Sequence, residues 1–229
     1  MNDTYPVKVI AHIRTDFPTK FGIPRQSGLV EDLQATIVFT PEYRNAEALR
    51  GLEDFSHIWL IWGFSQAVRS TWSPTVRPPR LGGNTRLGVF ATRSPFRPNA
   101  LGLSSVRLCG IQQTAQQGTV LVVAGADLMD NTPIYDIKPY LPYTDSHADA
   151  SGGFAEPLRA YALEVDFPAQ WLQLIPAARQ QALCGVLAQD PRPSYQNDAE
   201  RIYGLAFGGF DIRFTVQDGV LHVCEVVPQ

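Results

Sequence analysis

Several common signals are missing from this sequence of 229 residues. Its three cysteines, Cys109, Cys184 and Cys224, are odd in number and widely spaced, and its four histidines make no ligand-like pair with them. We therefore predict neither a disulfide framework nor a metal site. The longest apolar run, IWLIWGF from Ile58, is far shorter than the roughly 20 residues of a membrane-spanning helix. The first residues also lack a basic start followed by an apolar block, so we predict a cytoplasmic protein with no membrane span.

No familiar nucleotide-binding loop is present either. The chain has no G-x-G-x-x-G after a strand and no G-x-x-x-x-G-K-[ST], which argues against a Rossmann or P-loop site. It also has no G-x-S-x-G elbow and no Cys-His pair that would indicate a covalent nucleophile. A ligand-binding or catalytic site must therefore be formed by other loops.

Acidic residues are absent between Asp54 and Asp127, a window that contains seven arginines and no lysine. These arginines are Arg69, Arg77, Arg80, Arg86, Arg93, Arg97 and Arg107. The rest of the chain has 12 basic residues against 22 acidic ones, so the window carries +7 and the remainder −10. Because arginine suits bidentate phosphate recognition, the set predicts an anion-binding face if the side chains converge in the fold. Each arginine alone is also compatible with a scattered, solvated position.

Short β-branched and aromatic runs bounded by Gly, Pro, Gln and Ser predict strands in the first 126 residues. They lie at 7–13, 33–39, 57–64, 86–91, 103–111 and 119–126. One helix is predicted among them, from Thr40 as N-cap to Gly51 as C-cap. Strands without regularly alternating helices argue against a doubly wound parallel sheet, so we predict a mainly β, mostly antiparallel barrel or sandwich.

The composition divides the chain into two domains. We place a barrel domain at 1–145, a small, polar linker at 146–158 and a C-terminal α+β domain at 159–229. In the second domain, a helix begins near Pro176, and the strands FDIRFTV and VLHVCEVV are joined by QDG, a hairpin turn signal. Its core is thin, so we expect this domain to lean on the first.

The stretch DLMDNTPIYDIKPYLPY, residues 127–143, contains three prolines and is predicted to be a constrained loop. Asp136, Lys138 and Tyr140 lie two residues apart, so they share one face of an extended chain. A carboxylate, an ammonium group and a phenol can hold an amine-bearing ligand, and the carboxylate can accept a proton. A surface Asp-Lys pair beside a buried tyrosine fits the same pattern equally well.

Six motifs in order along the chain resemble the TsaA-like TrmO family of tRNA adenine-N6 methyltransferases. They are KFGIPRQSGLV, GLEDFSHIWLIWGF, PTVRPPRLGG, GVFATRSPFRPNALGLS, DIKPYLPY and QDPRPSY. The resemblance implies a single-sheet antiparallel β-barrel without a Rossmann fold, which binds S-adenosylmethionine, and a C-terminal domain that helps to hold tRNA. It also implies a homodimer that methylates N6 of threonylcarbamoyl-adenosine beside the anticodon of threonine tRNA.

The resemblance assigns cofactor contacts by position. The residues are Pro24, Arg25, Gln26, Ser65, Gln66, Arg93, Leu103, Asp130, Thr132, Pro133, Asp136, Ile137, Lys138 and Pro139. Three positions depart from the family pattern. Ser65 stands where many relatives have His, which argues against proton transfer there. Asn131 replaces a Gly and is tolerated because Asn accepts left-handed backbone angles, and Ala100 replaces a Pro, which should loosen its loop.

We interpret Asp136, Lys138 and Tyr140 as the catalytic residues. Asp136 would accept the proton from N6, Lys138 would tune its charge, and Tyr140 would stack on the adenine. Arg93 and Arg97 would hold the threonyl carboxylate or a flanking phosphate.

Four arginines are predicted to contact tRNA: Arg69, Arg77, Arg80 and Arg97. The first three could equally pair with carboxylates of the C-terminal domain or of a second subunit. Two other functions stay open at this point. The chain could be a non-catalytic RNA-binding barrel, or a methyltransferase whose acceptor is a small molecule or another RNA. The C-terminal domain would have little reason to matter for a small substrate.

Overall fold

The computed structural model describes residues 4–67, 71–78, 85–158, 161–193, 196 and 198–229. In chain order the strands are β1 Ala11–Arg14, β2 Gln34–Phe39, β3 His57–Gly63, β4 Thr75–Val76, β5 Leu87–Gly88, β6 Leu101–Thr114, β7 Gly118–Ala124, β8 Thr132–Pro139, β9 Glu164–Asp166, β10 Tyr203–Phe207, β11 Phe210–Gln217 and β12 Val220–Pro228. The α-helices are α1 Pro142–Asp145, α2 Ala169–Leu172 and α3 Ala177–Ala188. Single 3₁₀ turns lie at Pro41–Tyr43, Ala46–Leu49, Leu52–Asp54, Val89–Ala91 and Gly153–Leu158. None of the helices in these ranges is long and apolar enough to cross a membrane.

Six of the strands form one antiparallel sheet in the order β1-β2-β7-β6-β3-β8. The last strand, β8, pairs with both β3 and β1, so the sheet closes on itself as a barrel. Among the inward-pointing residues, Ile13, Ile37, Leu60, Leu121 and Ile134 are fully buried. The prediction of a mainly β, antiparallel fold is confirmed.

The predicted helix from Thr40 to Gly51 is wrong, because two separate 3₁₀ turns occupy this stretch and a third follows Gly51. The Thr40 side chain makes no capping hydrogen bond. Asn45 is extended, and its side chain accepts a hydrogen bond from the Glu47 N–H, which starts a new turn. Local side-chain hydrogen bonds of this kind compete with a continuous helix.

The prediction of a loop over residues 127–143 is also wrong, because β8 lies within it. Prolines are tolerated here because Pro133 and Pro139 stand at the second and last positions of the strand. The pairing with β3 shifts register between Ile61 and Trp62, which leaves Tyr135 as an extra residue. Just before the strand, Asn131 has φ of 62°, the left-handed angle expected of the residue that replaces glycine.

The C-terminal part folds as a four-stranded sheet in the order β10-β11-β12-β9, and α3 packs against it. The turn between β11 and β12 has positive φ at Asp218 and Gly219, as a two-residue hairpin of this type requires. On α3, Leu183 and Leu187 are fully buried. The apolar residues of the helix therefore face the sheet.

A segment of the first domain fills part of this second core. Phe17, Val30 and Leu33 belong to the same buried cluster as Leu183 and Leu205. Two polar contacts accompany the packing. The Asp16 carboxylate forms an ion pair of 3.0 Å with Arg179, and the Asp16 main-chain carbonyl accepts a hydrogen bond of 2.9 Å from the Gly208 N–H. Residues 17–33, which include the predicted cofactor loop, are thus anchored on the C-terminal sheet.

We expect Gly22→Ala to test this anchorage. Gly22 has φ of +83°, and an added Cβ would collide with the Leu205 side chain. The matched control is Gly51→Ala, where φ is +84° and nothing lies within 4 Å of the added Cβ. The control should lower the free energy of unfolding by about 1–2 kcal/mol. Gly22→Ala should lower it by about 1–3 kcal/mol more, because Leu205 must move within a packed core.

Urea denaturation of both variants measures the two losses. Equal losses would show that Leu205 yields freely and that the anchorage is loose.

Candidate active site

A large cleft opens at the end of the barrel where β3 finishes and β6 begins. Its volume is about 2060 Å³, and residues of the 25–29 loop, the 71–101 segment and the 151–156 segment line it. Pockets for small ligands usually measure about 300–1,000 Å³. The cleft therefore has room for more than one small molecule.

Six of the residues predicted for cofactor or tRNA line this cleft: Arg25, Gln26, Ser65, Arg77, Arg93 and Arg97. The loops that carry them are far apart in sequence. The Arg93 guanidinium donates a hydrogen bond to the Gln26 side chain, so the first cofactor loop and the GVFATR segment are in direct contact. Arg69 and Arg80 lie outside the described residues.

The side chains that line the cleft are mostly positive where they are charged. Its lining contains five arginines, Arg25, Arg77, Arg86, Arg93 and Arg97, and among the described residues Glu156 is the one carboxylate. Within the described part of the chain, Arg77, Arg86, Arg93 and Arg97 form no ion pair with a carboxylate. The convergence expected for the acid-free window is therefore present for these arginines.

Arg97 also supports its own loop. Its guanidinium donates to the Thr92 carbonyl at 2.9 Å, and the Thr92 hydroxyl accepts from the Ser94 N–H at 3.3 Å. Part of the guanidinium is thus occupied by main-chain contacts. Arg97 therefore stabilises its own loop, in addition to the contact with the substrate that is predicted for it.

The predicted catalytic residues lie on the outer face of the barrel rather than in the cleft lining. Asp136 forms an ion pair of 3.0 Å with Lys138, and its other oxygen accepts a hydrogen bond from the Ile137 N–H. The Tyr140 ring lies 5.5 Å from the Trp59 ring, centroid to centroid. The three residues share one face, as their spacing predicts.

This outer face adjoins the cleft. Ile61 of β3 pairs with Leu103 on one side and with Asp136 on the other, so the two predicted residues flank the same strand. Two residues further along β3, Gly63 pairs with Leu101, and both line the cleft together with Tyr135. A ligand that crosses this edge can reach the cleft and the Asp136 face together.

Several other predicted cofactor residues lie apart from the cleft lining. They are Pro24, Gln66, Asp130, Thr132, Pro133, Ile137 and Pro139. Two of them have structural contacts: Asp130 accepts a hydrogen bond of 3.0 Å from the Thr15 N–H, and the buried Thr132 hydroxyl donates to the Met129 carbonyl at 2.7 Å. Here they hold the turn before β8.

Sequence reasoning missed a polar network beneath the predicted cofactor loop. The buried Ser104 hydroxyl accepts from the Trp62 indole N–H at 3.0 Å and donates to Asp127 at 2.5 Å. The Asp127 carboxylate also accepts from the Ser27 N–H and lies near Arg93. Asp127 therefore ties the loop to the barrel. In the sequence, Asp127 is recognisable as the first acidic residue after the apolar run of β7.

Burial raises the pKa of the Asp127 carboxyl, while the Ser104 hydroxyl, the Ser27 N–H and Arg93 oppose this rise. The pKa of Asp145 is lowered instead, because the Leu141 N–H and the Trp59 indole donate to its carboxylate. Among the described residues, no group of three His, Cys, Asp or Glu is placed to hold a metal ion.

Comparisons with known proteins agree with this architecture. The chain matches the model of the tRNA-methyltransferase O N-terminal domain over residues 12–146 and that of the TrmO C-terminal domain over residues 160–229. It is 41% identical over 234 residues to the tRNA (adenine(37)-N6)-methyltransferase of Escherichia coli (strain K12), with 99% of each chain covered. It is 43% identical over 221 residues to a Pseudomonas aeruginosa protein named "Putative S-adenosylmethionine-dependent methyltransferase RcsF", with 92% of each covered.

A solved structure is similar over the same extent. The crystal structure of TrmO from Pseudomonas aeruginosa has a TM-score of 0.79 at 34% identity, and the match covers 98% of this chain and 99% of that one. Fold and cleft together define a barrel protein with an arginine-rich site and no Rossmann domain. The chain belongs to the TrmO family.

We expect the pH dependence of stability to separate Asp127 from Asp145. A carboxyl whose pKa is raised by folding contributes stability at low pH that is lost as pH rises, and one whose pKa is lowered behaves in the opposite way. The free energy of unfolding of Asp127→Asn, relative to the unsubstituted protein, should therefore rise between about pH 4 and pH 7. That of Asp145→Asn should fall as the pH rises towards about pH 5, because a carboxyl with a lowered pKa titrates in the folded state below its unfolded value of about 4. Urea titrations at several pH values measure both, and slopes of the same sign would contradict the assignment.

Proposed function

We propose that this protein transfers a methyl group from S-adenosylmethionine to N6 of adenine 37 in tRNA. The observation that carries the proposal is the full-length similarity to the Escherichia coli enzyme of that name, with 99% of both chains covered. The cleft supports it, since five arginines and one described carboxylate suit a polyanionic substrate. Its volume leaves space for a cofactor and a nucleotide together.

The residues of the cleft fit the proposed cofactor. S-Adenosylmethionine supplies a methyl group already activated on a sulfonium. Its carboxylate matches the guanidinium of Arg93, which Gln26 holds in place. Arg25 and Ser65 line the same cleft. Leu103 and Asp136 flank the adjoining stretch of β3, where they would meet a ligand that extends across the edge.

The proposed acceptor is threonylcarbamoyl-adenosine in threonine tRNA. Its N6 carries an acyl group, so the lone pair is delocalised and the nitrogen is a poor nucleophile until its proton leaves. The enzyme must therefore align N6 with the methyl group and provide a proton acceptor. Arg97 and the other arginines of the cleft supply partners for the threonyl carboxylate and the phosphates.

Asp136 is the proposed proton acceptor. Its carboxylate is half-exposed and lies beside Tyr135, a residue of the cleft lining. Lys138 forms an ion pair of 3.0 Å with this carboxylate. Tyr140 completes the face and offers a ring on which the adenine can stack.

The proposal includes a homodimer in the cytoplasm. Leu103, which is 55% exposed, and Leu101 stand on the outer face of β6, where a second subunit could cover them and the cofactor. A non-catalytic RNA-binding barrel would use the same arginines, but it would bind RNA without regard to the cofactor and transfer no methyl group.

The decisive experiment is the transfer of radiolabelled methyl from S-adenosylmethionine to threonine tRNA, prepared with and without the threonylcarbamoyl group. We expect label on the modified tRNA alone. Label on both would retain the methyltransferase but remove the need for the modified base. Cofactor binding without label on either would point to another acceptor. No cofactor binding would favour the RNA-binding barrel.

We expect Asp136→Asn to lower kcat by about 10²- to 10⁴-fold, the usual effect of losing a general base. Because Asp136 is also among the residues assigned to the cofactor, kcat is measured at saturating S-adenosylmethionine, and the dissociation constant of the cofactor is measured for each variant. The matched control is Asp211→Asn, which breaks a similar pair two residues apart on a strand, with Arg213 at 3.2 Å. Full activity of Asp136→Asn with the cofactor bound would exclude Asp136 as the proton acceptor.

A further inference from the structure

A two-stranded ribbon stands at the mouth of the cleft. β4 and β5 pair through Thr75 with Gly88 and Val76 with Leu87, and the Val89 N–H donates to the Pro74 carbonyl at 2.9 Å. Val89 is 1% exposed, so it fixes the ribbon to the body of the protein. The ribbon is therefore a fixed part of the fold, and the side chains at its two ends have defined positions.

One end of the ribbon carries two exposed aromatic side chains. Phe90 is 73% exposed and Trp72 is 53% exposed, and their ring centroids lie 6.2 Å apart. Both residues line the cleft. The two rings are tilted by 31° to each other. Exposed aromatic faces of this kind are those on which nucleobases stack.

The other end carries like charges. Arg77 follows β4 and Arg86 precedes β5, so two exposed guanidinium groups leave the ribbon at the same end. Like charges on neighbouring strands repel, and neither arginine forms an ion pair with a carboxylate of the described chain. An anion from a bound partner would relieve this repulsion.

Taken together, these features suit one chemistry. Proteins bind single-stranded nucleic acid with aromatic rings that stack on bases and cationic groups that follow the backbone. Sequence-specific or modification-specific RNA recognition likewise targets unpaired loops, whose bases can be splayed out onto aromatic rings. Adenine 37, the base named in the relatives, lies in such a loop beside the anticodon.

We propose that the ribbon of residues 71–78 and 85–92 binds the unpaired bases of the anticodon loop. Phe90 and Trp72 stack on a base, and Arg77 and Arg86 bind the phosphates beside it. The proposal rests on the tRNA methyltransferase function above and adds to it the element that reads the substrate loop. Stacking distinguishes an open loop from a duplex, since paired bases have no free face to offer.

The test uses two fluorescein-labelled RNA hairpins with the same stem. One has the natural anticodon loop and the other has abasic nucleotides in the loop, which keep the phosphates and remove the bases. The full-length protein should bind the natural loop about 5- to 150-fold more tightly than the abasic one, the range expected for stacking of one base. Phe90→Ala and Trp72→Ala should each reduce this preference, while Phe90→Tyr, which keeps the ring, should retain it.

Two further variants complete the design. Arg77→Gln should weaken binding to both hairpins and flatten the dependence of log Kd on log salt by about 0.7, the value for one phosphate of a single strand. Tyr143→Ala removes an equally exposed aromatic ring outside the cleft, and it should leave binding to both hairpins unchanged. The dissociation constant for S-adenosylmethionine is measured for each variant, so that a collapsed cleft is recognised.

Several outcomes would overturn the proposal. Equal binding of natural and abasic loops by the unsubstituted protein would exclude base stacking, as would equal losses for the two RNAs in both Phe90→Ala and Trp72→Ala. A change from dimer to monomer in sedimentation, with RNA binding intact, would assign the rings to a subunit contact. If the unsubstituted protein methylates tRNA but the aromatic variants bind it normally, the ribbon proposal alone fails. If it neither binds nor methylates tRNA, the proposed function fails with it.

Discussion

The pairing of β8 with both β3 and β1 is the constraint on which the rest of the structure depends. It closes the sheet, and its bulge at Tyr135 changes which side chains face outward. Without an extra residue, the alternation of a strand would put Asp136 on the same side as the fully buried Ile134. With it, Ile134 and Ile137 both pack in the barrel, Tyr135 reaches the cleft, and Asp136 is exposed. One inserted residue therefore permits a buried core and a charged outer face on the same short strand.

The C-terminal domain contributes to the site through the chain that precedes β2. Phe17, Val30 and Leu33 fill its core, and burial of such side chains stabilises by about 1.5–3 kcal/mol each. Between these anchors, the Gly28 N–H donates to the Gly125 carbonyl at 2.9 Å, which fixes the loop to the barrel. The predicted cofactor loop is thus held from both sides. A domain assigned to tRNA by resemblance consequently has a structural reason to matter for a small ligand as well.

The sequence predicted those features that depend on local periodicity and on charge. The antiparallel strands follow from β-branched and aromatic runs, and the shared face of Asp136, Lys138 and Tyr140 follows from their spacing of two. It failed where tertiary pairing overrides local preference. Proline content argued for a loop over 127–143, yet pairing with two neighbouring strands makes residues 132–139 the strand β8. The importance of Asp127 was also missed, because its partners Ser104 and Ser27 come from distant parts of the chain.

The distribution of charge explains how an acidic protein can approach RNA. The formal net charge is −3, so the molecule as a whole would be repelled by a polyanion. The acidic parts of the protein repel the RNA, whereas the arginine-lined cleft attracts it. The favourable approach is therefore the one that brings the cleft to the RNA. Such complementarity gives orientation and a faster encounter more than it gives affinity. Arg77 and Arg86 form no ion pair with a carboxylate of the described residues, and a protein carboxylate at either position would compete with the phosphates of a bound RNA.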